Sequence, residues 1–166
     1  MMGAGKSTVG RLLARRLKRG FCDTDEEIER RCGVRIPVIF DIEGEAGFRA
    51  RETLVLGELC ALENAVIATG GGAVLAEANR RIIAARGVVV YLHARPSHLW
   101  NRVQHDRNRP LLATADPQKK LETLYAERDP LYREVADVVI DTGKQSVQTL
   151  AKDLLTRLEG GCNLSA

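Results

Sequence analysis

The order of apolar and polar positions divides the chain into short buried strands alternating with amphipathic helices. Val9, Leu12, Leu13 and Leu17 recur at helical spacing, with Arg11, Arg15, Arg16 and Lys18 elsewhere on the wheel. A helix is therefore predicted from about Lys6 to Leu17, with Gly20 as its stop. Phe21 and Cys22 are a short apolar step into Asp23-Thr24-Asp25, read as a strand end delivering two carboxylates. Glu26 to Cys32 reads as a helix stopped by Gly33. Ile36 to Phe40 reads as a short helix with Pro37 suited to its first turn. Gly44 separates it from a longer helix, about Glu45 to Leu62, that carries Phe48, Leu54, Val55, Leu59 and Leu62.

The second half repeats the alternation. Ala65–Ala68 is predicted as a buried strand leading into Thr69-Gly70-Gly71-Gly72, and Glu77 to Arg86 as a helix closed by Gly87. Val88 to Leu92 is wholly apolar and mostly β-branched, as a parallel strand buried on both faces requires. Pro96 opens a helix to about His105. The polar, basic stretch Asp106-Arg107-Asn108-Arg109-Pro110 reads as a mobile loop. Pro117 starts a helix to about Asp129, with Pro130 a candidate break before its continuation to Glu134. Val138–Ile140 is the last strand and about Ser146 to Leu158 the last helix, leaving a tail at 161–166.

Strands alternating with helices predict an α/β fold with a mainly parallel sheet, right-handed crossovers and a ligand site at the carboxyl ends of the strands. The Gly3–Thr8 stretch, Asp23 and Asp25, Gly70–Gly72 and the Asp141 loop all fall at such ends, so they can converge.

Composition adds bounds rather than detail. The 166 residues fit one domain, and 45% hydrophobic with 28% charged residues is ordinary for a globular protein. A net charge of +3 and 4% aromatics do not argue for nucleic acid as a partner. No apolar run is long enough for a membrane helix, and the first residues lack the apolar core of a signal peptide. The expected location is the cytoplasm. Cys22, Cys32, Cys60 and Cys162 show no C-x-x-C pair, which favours reduced thiols over a disulfide framework or a zinc site.

The candidate chemistry begins with Gly3-Ala4-Gly5-Lys6-Ser7-Thr8, most of the phosphate cradle G-x-x-x-x-G-K-[ST]. Glycines let successive amides point into one concavity, and the following helix adds free donors and a positive dipole end. Lys6 would reach the β- and γ-phosphates, and the Ser7 hydroxyl would ligate Mg²⁺. The competing reading is a flexible Gly-rich terminus; the helix that follows at once argues against it. Asp23 and Asp25 would point the same way from an extended strand end, one serving Mg²⁺ and the other a substrate hydroxyl. The alternatives are a solvated acidic turn or an N-cap. Gly70-Gly71-Gly72 after a buried strand suggests close approach of backbone to a ligand. Arg49, Arg109 and Arg128 are each compatible with ordinary surface charge.

Taken in order, these pieces resemble the shikimate kinase family. The resemblance rests on Gly3–Thr8, Phe21–Asp25, Ile39-Phe40, Gly44-Glu45, Phe48-Arg49, Val66–Gly72, Arg109-Pro110-Leu111 and Arg128–Arg133. It implies a three-layer P-loop kinase fold with a five-stranded parallel sheet, and transfer of the γ-phosphoryl group of ATP to the 3-hydroxyl of shikimate, on the route to chorismate and aromatic amino acids. It implies a single domain over about 1–160, with a shikimate-binding helical segment at about 25–62 and a lid at about 106–116. Lys6, Asp25 and Arg109 would be catalytic. ATP would be held by Gly3, Ala4, Gly5, Lys6, Ser7, Thr8, Arg102, Arg109 and Gln145. Shikimate would be held by Asp25, Arg49, Gly70, Gly71, Gly72 and Arg128, with Glu52 holding Arg49. Ser7 and Asp23 would serve Mg²⁺, and the expected partners are ATP and shikimate alone, bound by a monomer.

The chain departs from that pattern at its start. The motif's leading glycine, and the central strand that feeds it, would lie before Met1. The strands near Ala65–Ala68 and Val88–Leu92 would then face each other across about 9–10 Å, two strand spacings. A start codon assigned too far downstream, a fragment, or a sheet closed around the loss would each account for this; the first is favoured. Two rival functions are kept: another small-metabolite kinase such as a gluconate kinase, and a non-catalytic nucleotide-binding protein.

Overall fold

The structure is a computed structural model and describes residues 1–106, 110–143 and 145–161. In chain order the elements are α1 (Lys6–Leu17), β1 (Gly20–Asp23), α2 (Thr24–Cys32), α3 (Ile36–Cys60), β2 (Ala65–Ala68), α4 (Glu77–Arg86), β3 (Val90–His93), α5 (Pro96–Val103), α6 (Pro117–Val135), β4 (Val138–Asp141) and α7 (Val147–Gly161). Two single 3₁₀ turns, Ala73–Leu75 and Pro110–Leu112, complete them. The expected α/β alternation is present.

Several boundaries moved for local reasons. Lys18, not Gly20, ends α1: it takes the left-handed conformation at φ 54° and its amide reaches the Ala14 and Arg15 carbonyls. Gly20 is thereby released to open β1. The two helices expected on either side of Gly44 follow one another without a loop in α3, with Gly44 as the kink at φ 69°, ψ −178°. The long apolar stretch at Val88 enters the sheet only at Val90. Pro130 does not break α6, which runs through it to Val135.

The strands pair in parallel twice. β1 runs beside β2 in the register Gly20↔Ala65 to Asp23↔Ala68, and β3 beside β4 from Val90↔Val138 to His93↔Asp141. Among the described residues β2 and β3 are not bonded to each other, so four strands form two separate pairs. Between them lies a cavity of about 720 Å³, lined by Val66, Ala68, Val90, Leu92, Leu13 and Leu154 among others. The sheet does not close up between β2 and β3. The reason is packing: α1 lies across β2 and α7, and its buried Val9, Leu13 and Ala14 prop the two halves apart.

Two cores result. The larger joins α1, α5, α6 and α7 to β3 and β4 through Val9, Leu99, Leu121, Ile140 and Leu154. The smaller, Ile28, Ile39, Phe48, Val55 and Leu59, knits α2 to α3. That second core also packs on Cys22 of β1 and Ile67 of β2, and it sets which faces of α2 and α3 turn toward the β-strand ends. Among the described residues no helix is long and apolar enough to cross a membrane.

Candidate active site

The phosphate loop has the backbone its sequence demands. Gly3 and Gly5 sit at φ 71° and 90°, a region closed to most side chains, and Gly5 leads directly into α1. Lys6 turns back over the loop and its Nζ donates to the Met1 carbonyl at 2.8 Å. Ser7 Oγ donates to Asp23 Oδ2 at 2.6 Å, so the hydroxyl and the carboxylate stand side by side.

Asp23 and Asp25 do not share one extended strand end as expected. β1 stops at Asp23, and α2 begins at Thr24. Asp23 is the N-cap of α2: its Oδ1 accepts from the Asp25 amide at 3.0 Å and the Glu26 amide at 3.5 Å. The capping alternative and the Mg²⁺ reading are compatible, because the cap uses one oxygen and Ser7 meets the other. Asp25 lies in the first helical turn and faces Gly70. A β-carbon on Gly70 would lie 2.7 Å from Asp25 Oδ1 and would collide with Glu52 Oε1.

Each glycine of the Gly70–Gly72 segment answers to a particular neighbour. The Gly70 amide donates to the buried Thr24 hydroxyl at 2.8 Å. The Gly71 carbonyl accepts from Arg128 Nη1 at 3.0 Å and from the Tyr132 hydroxyl at 2.5 Å. A β-carbon on Gly71 would lie 3.4 Å from the Met2 nitrogen, so this segment borders the phosphate loop. A β-carbon on Gly72 would collide with the Arg49 guanidinium. None of the three needs a left-handed φ; what they provide is close approach.

The two arginines are held differently. Arg49 Nη1 donates to Glu52 Oε2 at 2.7 Å, and its Nη2 and Nε reach Glu45 Oε1 at 2.9 and 3.2 Å. Burial works against the Arg49 charge, but Glu52 and Glu45 outweigh it and raise its pKa. Arg128 is 2% exposed, its Nε has no hydrogen-bond partner, and burial lowers its pKa, with Arg49 adding to the fall. Glu52 is fully buried, and burial pushes its carboxyl up against the pull of Arg49. Two guanidinium groups thus stand beside the Gly70–Gly72 segment, Arg49 paired with Glu52 and Glu45 and Arg128 bonded to the Gly71 carbonyl with its Nε left over, and an incoming carboxylate would meet them there.

At the other side of the phosphate loop, Gly3, Gly5, Thr8, Arg102, Thr142 and Gln145 line a cavity of about 220 Å³. Arg102 is already bonded there. Its Nη2 donates to the Thr142 carbonyl at 2.6 Å and its Nη1 to the Gly3 carbonyl at 3.1 Å, pinning the loop after β4 to the phosphate loop. Arg109 lies outside the described residues.

The donor set suits Mg²⁺, which takes one or two protein oxygens and leaves its other positions to phosphates and water. Ser7 and Asp23 could supply those oxygens; among the described residues no group of three or more His, Cys, Asp or Glu could hold a metal. Thr24, Tyr132 and Thr142 were not singled out from the sequence. All three are buried polar residues inside or beside recognised motifs, and only their partners in space show that they fix the glycine segment and the loop after β4.

The family description "Shikimate kinase" matches residues 2–159 of the chain. A shikimate kinase of Cupriavidus pinatubonensis is 60% identical over 159 residues, covering 96% of this chain and 83% of that protein. One of Burkholderia pseudomallei is 59% identical, covering 96% and 86%. Among solved structures, shikimate kinase from Acinetobacter baumannii in complex with shikimate superposes with a TM-score of 0.94 at 49% identity, covering 99% of this chain and 91% of that one. Shikimate kinase from Aquifex aeolicus gives 0.85 at 38%, covering 97% and 94%.

Proposed function

The chain belongs to the shikimate kinase family and transfers the γ-phosphoryl group of ATP to shikimate, and from that premise we propose how its own residues divide the work. The phosphate-loop amides of Gly3–Thr8 and the Lys6 ammonium hold the β- and γ-phosphates. Lys6 exchanges its contact with the Met1 carbonyl for phosphate oxygens. Arg102 and Gln145 flank the adenine, with Arg102 offering the face of a guanidinium whose edges are already bonded. Ser7 and Asp23 hold Mg²⁺, Ser7 directly and Asp23 through water. When bound, the ion neutralises charge on the β- and γ-phosphates.

Arg49 and Arg128 bind the shikimate carboxylate, a planar anion that matches guanidinium forks. The Gly70–Gly72 backbone forms the wall on which the ring lies. Asp25 accepts a hydrogen bond from the 3-hydroxyl, aims it in line with the γ-phosphorus and takes its proton. Arg109, in the lid segment at about 106–116, closes over the transferring group and completes the exclusion of water. The helical segment at about 25–62 carries the acceptor-binding residues as a unit because the second core binds α2 to α3. One chain is taken as the active unit, and the compartment as the cytoplasm, where ATP is supplied.

The observation that carries this reading is the convergence of Asp25, Arg49 and Arg128 on three consecutive glycines that border the phosphate loop. The test is ADP release with ATP and Mg²⁺, shikimate being offered beside gluconate and other hydroxy acids. Release that depends on shikimate is expected. Release driven by gluconate, or nucleotide binding without turnover on any acceptor, would overturn the assignment.

A further inference from the structure

Asp23, Thr24 and Asp25 are consecutive, and each faces a different part of the site. Asp23 Oδ2 meets the Ser7 hydroxyl of the phosphate loop at 2.6 Å. Asp25 Oδ1 stands against Gly70, 2.7 Å from where a β-carbon would be. Thr24, between them, is 0% exposed, and its Oγ1 accepts from the Gly70 amide at 2.8 Å. The division of work set out above uses both carboxylates and leaves this hydroxyl without a task.

Burial alone does not call for a hydroxyl at this place, since valine has nearly the same shape and no polar atom to satisfy. The strand ladder explains it. β1 and β2 pair as far as Asp23↔Ala68. There β1 ends, because α2 begins at Thr24 and draws the backbone into the helix. The chain of β2 runs on to Gly70, which is buried, so its amide needs an acceptor beyond the end of the ladder. The Thr24 hydroxyl is that acceptor.

The first turn of α2 is shaped locally, by Asp23 Oδ1 accepting from the Asp25 and Glu26 amides at 3.0 and 3.5 Å. Those bonds set the conformation of the turn but not its distance from the glycine segment. That segment is anchored on its other side, where the Gly71 carbonyl accepts from Arg128 and Tyr132 of α6. The Thr24–Gly70 bond joins the two, one residue before Asp25 on one side and one residue before Gly71 on the other.

We propose that Thr24 is a positioning residue for phosphoryl transfer: its hydroxyl, by taking the Gly70 amide, sets the distance of Asp25 from the glycine segment on which the acceptor lies. The proposal rests on the assignment of Asp25 as the base and of Gly70–Gly72 as the acceptor's wall. Arg49 and Arg128 hold the acceptor's carboxylate from α3 and α6. Loss of the Thr24 bond therefore displaces the base from a bound acceptor rather than the acceptor from the protein. A displacement of about 1 Å is enough to cost about a hundredfold in rate. The effect falls on kcat and spares both KM values.

The test is the steady-state kinetics of shikimate-dependent ADP release in three variants. In Thr24→Val kcat is expected to fall about tenfold to a hundredfold, with both KM values near those of the wild type. Thr24→Ser and Thr24→Ala both lack the methyl group and differ only in the hydroxyl; the serine variant should keep most of kcat and the alanine variant should not. In an Asp25→Asn background Thr24→Val should cost far less than it does alone, because residues acting through one step are not additive. The Gly70 amide of the wild-type chain should exchange with solvent as slowly as the bonded amides of β2. Equal kcat in the serine and alanine variants, a loss in Thr24→Val carried by the KM for shikimate, or full additivity with Asp25→Asn would overturn the proposal. So would rapid exchange of the Gly70 amide in the wild type, which decides the point even where a variant does not fold. Absence of shikimate-dependent release by the wild-type chain would instead refute the shikimate assignment, and this positioning role with it.

Discussion

The Arg49 guanidinium lies against the α-carbon of Gly72, where a β-carbon would have no room beside either terminal nitrogen. The contact ties a helix of the second core to the segment after β2, and it makes a glycine part of the placement of a cation. Gly72→Ala should therefore act through Arg49. The KM for shikimate is expected to rise about tenfold or more, the effect of losing one charge-assisted hydrogen bond, with the KM for ATP changed far less. Steady-state kinetics with each substrate varied in turn would show it; equal effects on both would point to a general loss of fold.

Arg128→Ala removes a buried guanidinium whose Nη1 also fixes the Gly71 carbonyl. Its effect should be larger on the KM for shikimate than on that for ATP. Tyr132→Phe, which removes only the second donor to the same carbonyl, should give a milder change in the same direction. If Arg128→Ala shifts both constants alike, the guanidinium does not bind the carboxylate.

Asp23 has two separable tasks. Asp23→Ala should destabilise the fold by about 0.5–2 kcal/mol through loss of the α2 cap. Asp23→Asn should preserve the cap and stability while raising the Mg²⁺ concentration needed for half-maximal turnover. Ser7→Ala should raise it too. Denaturant unfolding and Mg²⁺ titration of ADP release separate the two effects, and chelation of Mg²⁺ should abolish turnover in the wild type.

Glu52 links the site to pH. Burial raises its carboxyl pKa in the folded chain despite Arg49. An acid with a raised folded pKa contributes its stability fully below the unfolded value, about pH 4.3, and loses it as pH rises through the folded value. Glu52→Gln removes that loss, so the stability of the variant relative to the wild type should improve from about pH 4 upward. Its KM for shikimate should rise, because Arg49 loses a charged partner. Urea unfolding of both proteins across that range gives the sign; Asp129 and Asp141, whose pKa values are lowered, titrate in both and cancel.

The cavity between β2 and β3 leaves both strand edges facing a slot that α1 holds open. A short apolar strand supplied ahead of Met1 should pair with both. The extended chain is expected to melt at a higher temperature than the 166-residue chain, with slowed amide exchange in Val66–Ala68 and Val90–Leu92. Unchanged melting and exchange would mean that the slot does not accept a strand.

Much of this site was legible in the order of residues because its chemistry is local. Gly3–Thr8 needs only neighbouring φ angles and a following helix, and both are written in consecutive residues. The alternation of β2, α4, β3 and α5 follows from apolar periodicity, which is set by burial along one element. The role of Asp23 was less clear, since an N-cap and an Mg²⁺ partner look the same in sequence. The structure shows one oxygen capping and the other beside Ser7.

What tertiary structure alone decided are relations between residues far apart in the chain. The meeting of Thr24 with Gly70, of Tyr132 with Gly71, and of Arg102 with Thr142 spans 46, 61 and 40 positions. No local preference encodes such pairs. They arise because parallel strands bring their carboxyl ends to one side and helices packed on two cores fix what hangs over that edge. The same holds for the open slot. The sequence determined that β2 and β3 are apolar strands, whereas the packing of α1 against β2 and α7 decided that they stay apart.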